Sequence, residues 1–382
     1  MLILVINCGS SSAKFQLLDV VRRKVMAKGI VERIGHGGSS FNYNADGDVV
    51  KKDLVCRNHY EAINLIVRQL TSARGGVIGS RSEISGVGHR VVHGGEEFKK
   101  SVLINKRVIK YIERYSELAP LHNPPSLSGI EACLKILKGV PQVAVFDTSF
   151  HQTMEPVAFL YGLPWKYYRK YGIRRYGFHG TSHRFVSQEA ARVLGQPPKG
   201  LKLITCHLGN GCSMTAVDGG KSRDTSMGFT PLEGLMMGTR SGDLDPAVVF
   251  YLMEKEKLTP ERISDILNKE SGLAGVSGVS NDMRDLVKNS KLKAQSSKLC
   301  RLAIEMFIYR IKKYIGAYLA AMGGLDAVIF TAGIGENCPW LVKRIAKDMK
   351  GVVPGKTRFL VIPTNEELLI AKDTYEIIKK GS

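Results

Sequence analysis

None of the seven cysteines sits in a C-x-x-C pair, and seven is an odd number. Scattered cysteines of this kind argue against a disulfide framework and a zinc site, and for a reducing cytoplasm. No uncharged apolar run approaches the ~18 residues of a membrane span. The opening MLILVIN has no basic leader and soon turns polar, so it predicts a strand and not a signal peptide. Acidic residues are short against basic ones, 35 to 55, for a net charge of +20. Such an excess favours nucleic acid, a membrane surface or small polyanions such as nucleotides. The lysines are spread over the chain, however, so a charged, soluble surface is an alternative reading. With 44% apolar and 24% charged residues the composition is that of a globular protein, and 382 residues predict two domains.

The chemistry concentrates in residues 205–245. An apolar run ending at Thr205 reads as a buried strand, breaks at His207-Leu208-Gly209-Asn210-Gly211, and returns as a second strand, Ser213 to Val217. Glycines around Asn210 let backbone N–H groups approach phosphate oxygens. Farther on, Arg240 stands between small residues in Gly-Thr-Arg-Ser-Gly, with little to block an anion. A plain hairpin followed by a polar loop is the simpler alternative.

The N-terminus repeats this plan. A strand at 2–6 leads into Asn7-Cys8-Gly9-Ser10-Ser11-Ser12-Ala13-Lys14, and a second strand ends at Asp19. Two phosphate-facing hairpins, with Gly9 matching Gly209, predict two similarly folded domains across a cleft. Arg90 falls where a core strand ends, so it requires a carboxylate partner, either structural or from a substrate. Asp147 follows the buried strand 141–146, at the end that faces the ligand crevice of open α/β sheets. Ala327 to Phe330 is another buried strand, and it runs into Gly333-Ile334-Gly335-Glu336-Asn337, a turn suited to a nucleotide.

His179 and His183 are four apart, but no Glu follows as in H-E-x-x-H, so His179 is read as an anion donor and not a zinc ligand. A helix is predicted from Ser126 to Lys138 after the turn at 121–125. The long helix 297–322 presents Leu302, Met306, Ile311, Ile315 and Leu319 as a core or subunit face. Residues 165–176, WKYYRKYGIRRY, mix aromatics with basic residues and offer a stacking surface for single-stranded nucleic acid.

The motifs NCGSSSAKF, GHRVVHGGEEF, FDTSFH, YGFHGTSH, HLGNGCS, DTSMGFTPLEGLMMGTRSGD, SNDMRD, FTAGIGEN and VIPTNEE together closely resemble the acetate kinase family. The resemblance implies an α/β protein of two duplicated ribonuclease H-like (actin-like ATPase) domains with a nucleotide cleft between them. It places the N-terminal, carboxylate and magnesium domain at 1–148 plus 367–382 and the nucleotide-binding domain at 149–366. Asn7 and Glu366 would hold Mg²⁺, with Mn²⁺ as a substitute. Ser10 and Lys14 would lie near the transferring phosphate, Arg90 would bind the substrate carboxylate, and Asp147 is the residue the family marks as catalytic. His179 and Arg240 would stabilise the transition state. His207, Leu208, Gly209, Asn210, Gly211, Asp282, Met283, Arg284, Gly333, Ile334, Gly335, Glu336 and Asn337 would cradle ATP or ADP, and Val92, Leu121, Phe178 and Pro231 would line the acyl pocket. A cytoplasmic homodimer using neither nucleic acid nor membrane is implied. A propionate or butyrate kinase and a non-metabolic ATPase module are the rivals; a pure ATPase has no need of Arg90, Asp147 and Arg240. The sequence departs from the family at 338–358, which is shorter than usual.

Overall fold

The computed structural model describes every residue except Asp46, Leu121 and Ser382. The chain divides into two compact units, Met1–Phe150 with Asn365–Ser382, and His151–Thr364.

The first unit is built on an eight-stranded sheet. Its strands are β1 (Leu2–Gly9), β2 (Ser12–Asp19), β3 (Lys24–Glu32), β4 (Ser39–Ala45), β5 (Asp48–Leu54), β6 (Ile84–Val91), β7 (Val102–Leu103) and β8 (Gln142–Phe146), in the order β5-β4-β3-β2-β1-β6-β8-β7. Central β1 is apolar on both faces, as a covered strand requires. Ile3 and Val5 pack towards Ile370 and Ala371 of the C-terminal helix Glu366–Gly381. Leu4 and Ile6 face the opposite way, into a core with Ile63, Ile66, Val67 and Leu70. Those four residues form the buried stripe of helix His59–Leu70, which begins where the Asn58 side chain accepts from the Glu61 N–H.

The second unit holds β9 (Lys202–Leu208), β10 (Cys212–Asp218), β11 (Lys221–Thr225), β12 (Ala327–Thr331) and β13 (Arg358–Val361), in the order β11-β10-β9-β12-β13. The duplication is visible in the pairing. In each sheet the first three strands run as an antiparallel meander, which β4 and β5 continue in the first sheet, and two parallel strands extend it from the first strand: β6 and β8 beside β1, β12 and β13 beside β9.

Two expectations differ from the structure, at the helix after residue 121 and in the long helix. The helix predicted from Ser126 is Asn123–Ile136, because Pro124 and Pro125 occupy its first turn, where a missing N–H costs nothing. In the long helix Gln295–Met322, Ile311 and Ile315 are buried as expected, but Leu302 is half exposed; the buried face runs instead through Ala303, Phe307 and Tyr318.

Candidate active site

In the first unit the site is organised by β6, ISGVGHRV. A Cβ on Gly86 would stand 2.2 Å from Ile378 Cδ1, and one on Gly88 2.5 Å from Thr374 Oγ1. The two glycines therefore let helix Glu366–Gly381 lie directly on the strand. Its first residue, Glu366, is brought to 3.6 Å from Arg90 Nε. Strand β8 lies parallel to β6 with Val145 opposite Arg90, so Asp147, just past β8, reaches the same guanidinium. Arg90 donates through Nε (3.2 and 3.1 Å) and Nη2 (2.6 Å) to the Asp147 carboxylate. Burial works against the Arg90 charge, but Asp147, Glu366 and Glu367 outweigh it and raise the pKa. The carboxylate that Arg90 required is thus Asp147, itself nearly fully buried.

Asn7 and Lys14 are paired across β1 and β2, with Gly9 and Ser10 at the hairpin end. His59, not singled out in the sequence, places Nε2 2.8 Å from the Gly9 carbonyl and ties helix His59–Leu70 to that hairpin. Fifty residues separate the two, so no local motif signals the contact. Val92 lies just beyond β6 and is half-buried, and Leu121 is outside the described residues.

In the second unit β9 continues through His207 and Leu208, leaving Gly209–Gly211 as the tip before β10. A Cβ on Gly211 would lie 3.3 Å from Arg240 Nη1 and 3.6 Å from His179 Cε1, so this glycine lets the two side chains converge. His179 precedes helix Gly180–Leu194 with φ +54°, a left-handed conformation that non-glycine residues adopt mainly at constrained sites. Its ring stacks on His207 at 4.1 Å, and its Nδ1 is 2.9 Å from Ser213 Oγ. Arg240 donates to the Pro231 carbonyl at 3.1 Å, which ties it to the loop of the expected acyl pocket. Among the described residues no carboxylate pairs with Arg240, and burial presses its pKa down. A partly desolvated guanidinium without a counter-ion is suited to an incoming anion. Phe178, beside His179, is buried, and Pro231 is half-buried.

A 550 Å³ cavity in the same unit brings together Gly209, Asn210, Asp282, Met283, Arg284, Gly333, Ile334 and Asn337, along with Asn281 and Cys338, which the sequence reading did not select. Asn281 lies within the SNDMRD motif, and its Nδ2 donates to Asn210 Oδ1 at 2.9 Å. Cys338 directly follows GIGEN. His207, Leu208, Gly211, Gly335 and Glu336 do not line this cavity. Glu336 turns back instead: its Oε1 accepts from Thr331 Oγ1, Ala332 N and Thr364 N at 2.7–3.2 Å. It thereby holds Ala332, whose φ is +64°, in the turn that presents Gly333 and Ile334.

The proposed stacking surface at 165–176 is used internally in part. Arg175 pairs with Glu233 and donates to the Thr225 and Ser226 carbonyls, and Arg174 is buried over the Phe159 ring. Among the described residues no three His, Cys, Asp or Glu side chains form a metal cage, and no helix is long and apolar enough to cross a membrane.

Two units of one topology, each with a hairpin tip bordering polar groups, define the two-domain actin-like ATPase class of α/β protein. The acetokinase family profile matches residues 2–352. An acetate kinase of Desulfitobacterium hafniense is 54% identical over 402 positions, covering all of both chains. The crystal structure of Porphyromonas gingivalis acetate kinase superposes with TM-score 0.93 at 45% identity, covering 99% of each chain. A propionate kinase from Francisella tularensis gives 0.91 at 39%, covering 98% of this chain and 99% of that one. The chain belongs to the acetokinase family.

Proposed function

We propose that the protein is an acetate kinase, transferring the γ-phosphoryl group of ATP reversibly to acetate to give acetyl phosphate and ADP. The observation that carries this reading beyond family membership is the carboxylate-side set: Arg90 held by Asp147, and Arg240 without a carboxylate partner among the described residues. A nucleotide-driven binding module has no use for these groups.

In this reading the first unit supplies the carboxylate and magnesium groups and the second the nucleotide groups. Acetate is ionised near neutral pH, so its oxygen attacks the γ-phosphorus in line without a general base. Asp147 is therefore a positioning group. It fixes the Arg90 fork, which holds the acetate oxygens and offsets their repulsion from the triphosphate. Negative charge spreads over three equatorial oxygens in the transition state, and catalysis is mainly positioning plus electrostatics. Arg240, His179 and Lys14 supply donors and positive charge to those oxygens. The acyl methyl group would meet Val92, Phe178, Pro231 and Leu121.

Magnesium in such sites takes one or two carboxylates, with phosphate and water completing an oxygen shell. The Glu366 carboxylate beside Arg90 and the Asn7 carboxamide on β1 are oxygen donors and fit this demand. The ion, or manganese in its place, would neutralise phosphate charge when bound.

A hydroxamate assay for acyl phosphate, run with MgATP and acetate, propionate or butyrate, tests the reading. Acetate is expected to give the highest kcat/KM. Highest kcat/KM for propionate would favour the second reading, a propionate kinase, which rests on the similarity to the Francisella protein. Nucleotide hydrolysis with no acyl phosphate from any acid would overturn both.

We also propose a homodimer. Helix Pro246–Lys255, PAVVFYLMEK, buries none of its residues and leaves Phe250 and Tyr251 more than half exposed. Sedimentation equilibrium should give twice the 42.0 kDa chain mass, and Phe250→Glu should return the monomer.

A further inference from the structure

Four side chains of the second unit form a continuous hydrogen-bonded chain. Thr205 Oγ1 is 2.7 Å from His183 Nδ1. His183 Nε2 is 2.7 Å from Ser213 Oγ, and Ser213 Oγ is 2.9 Å from His179 Nδ1. Thr205, His183 and Ser213 are fully buried. They come from different elements: Thr205 and Ser213 from the paired strands β9 and β10, and His183 from the first turn of helix Gly180–Leu194. The contacts are set by packing, since a histidine one helical turn from His179 would otherwise read as its metal-binding partner.

We infer that His183 and Ser213 are positioning residues that hold His179 with its proton on Nε2, as a neutral hydrogen-bond donor to the transferring phosphoryl group. The inference rests on the acetate kinase reading and assigns two residues that act on the reaction only through His179.

A hydroxyl has one hydrogen to give and two lone pairs to accept with, and Ser213 lies between two imidazole nitrogens; accepting from both would leave its buried hydrogen without a partner among the described residues, so it donates to one and accepts from the other. Burial, with His151 and His207 nearby, keeps the His183 pKa well below its ordinary value, so that ring is neutral and carries one N–H. Two arrangements are consistent with these limits. In the first, Thr205 donates to His183 Nδ1, His183 Nε2–H donates to Ser213, and Ser213 donates to His179 Nδ1. Each of these hydrogens then has a partner within 2.9 Å. In the second, every donor is reversed, and the Thr205 hydroxyl is left with the Thr215 carbonyl at 3.5 Å, too long for a sound O–H···O bond. The first arrangement is favoured, and it makes His179 Nδ1 an acceptor.

The consequence lies at the other ring nitrogen. His179 Nε2 lies 3.7 Å from where a Gly211 Cβ would stand, on the side where Arg240 Nη1 lies 3.3 Å from the same point. With the proton on Nε2, the ring and the guanidinium both present N–H groups to an anionic oxygen there. With the proton on Nδ1, a neutral ring would present a lone pair to that oxygen and repel it. The relay therefore sets the sign of the interaction without requiring an imidazolium.

The test combines ring ¹⁵N NMR with kinetics on the intact protein. In the wild type, the resonance pair lost in His179→Asn should show an unprotonated Nδ1 and a protonated Nε2 at neutral pH. Ser213→Ala and His183→Leu should each lower kcat about tenfold, the scale of one lost buried hydrogen bond, with KM for ATP and acetate changed less than about twofold. His183→Gln, whose amide can donate to Ser213, should recover most of the loss; a purely structural role predicts no such recovery. A protonated, neutral-ring Nδ1 in the wild type overturns the inference, as does a natively folded Ser213→Ala with undiminished kcat. If the wild type makes no acyl phosphate, the functional reading fails, and the NMR spectrum still decides the tautomer.

Discussion

Arg240 and Val92 carry the sharpest consequences at the residue scale. Arg240 is partly buried, lacks a carboxylate partner among the described residues, and converges with His179 over Gly211. Arg240→Ala should lower turnover by about two to three orders of magnitude, the scale of one lost transition-state donor. Nucleotide affinity should change little, because Arg240 does not line the cavity around Gly209, Asp282 and Gly333. Near wild-type turnover would remove it from the mechanism. Val92 lies beyond the end of β6, half-buried, two residues from Arg90. Its stiff, branched side chain suits a pocket wall. Val92→Ala makes room for one more methylene, and burying it should raise the propionate-to-acetate kcat/KM ratio by about 4- to 100-fold. A lower stability with an unchanged ratio would falsify the pocket assignment.

Among the elements, helix Glu366–Gly381 and its glycine seat link packing to chemistry. The helix touches β6 only because residues 86 and 88 lack side chains, and that contact sets where Glu366 meets Arg90. Gly88→Ala would push a methyl group against Thr374 Oγ1 at 2.5 Å and Ile370 Cγ2 at 2.7 Å. Overpacking of this kind costs about 1–3 kcal/mol. The denaturation midpoint should fall, and the KM for acetate should rise as Glu366 is displaced. Replacing Thr374 with Ala in the same chain should recover part of both; no recovery would show that the seat is not what holds the helix. The elements themselves were largely legible in the sequence. Thr259-Pro260 starts a helix, with the Thr259 side chain accepting from Arg262 N, and Gly195 closes another with φ +65°. Caps and periodicity are local, so a one-dimensional reading finds them. The 302 position escaped because the buried stripe of a 28-residue helix depends on which neighbours cover it.

At the scale of the whole molecule, buried neutral histidines make stability depend on pH. His89 is buried against Gln142, with Nε2 2.8 Å from Oε1, and burial lowers its pKa to about 4 from an ordinary 6.5. The unfolded chain takes up this proton near pH 6.5, whereas the folded chain resists it down to about pH 4. Stability is therefore full above pH 6.5, falls as pH drops towards 4, and levels off below. The loss from His89 is roughly 3 kcal/mol, and His183 acts in the same direction. Urea midpoints measured between pH 7.5 and 4.5 should fall less steeply in His89→Phe than in the wild type. Equal slopes would show that His89 is not a buried neutral group.

The sequence by itself determined the family, the two hairpins, and the strand ends that carry Arg90 and Asp147. Strand periodicity, glycine turns and continuous motifs are properties of neighbours along the chain. Tertiary structure decided the pairings. Asp147 meets Arg90 across 57 residues only because β8 lies in register with β6. Glu336, grouped with the nucleotide turn by its motif, folds back as a brace because Thr364 is delivered beside it by the chain leaving β13. His183, spaced from His179 like a metal ligand, faces Ser213 and Thr205 instead, since the helix packs its first turn on β9 and β10. A side chain's partner depends on what the fold places opposite it, and spacing along one strand or helix does not contain that information.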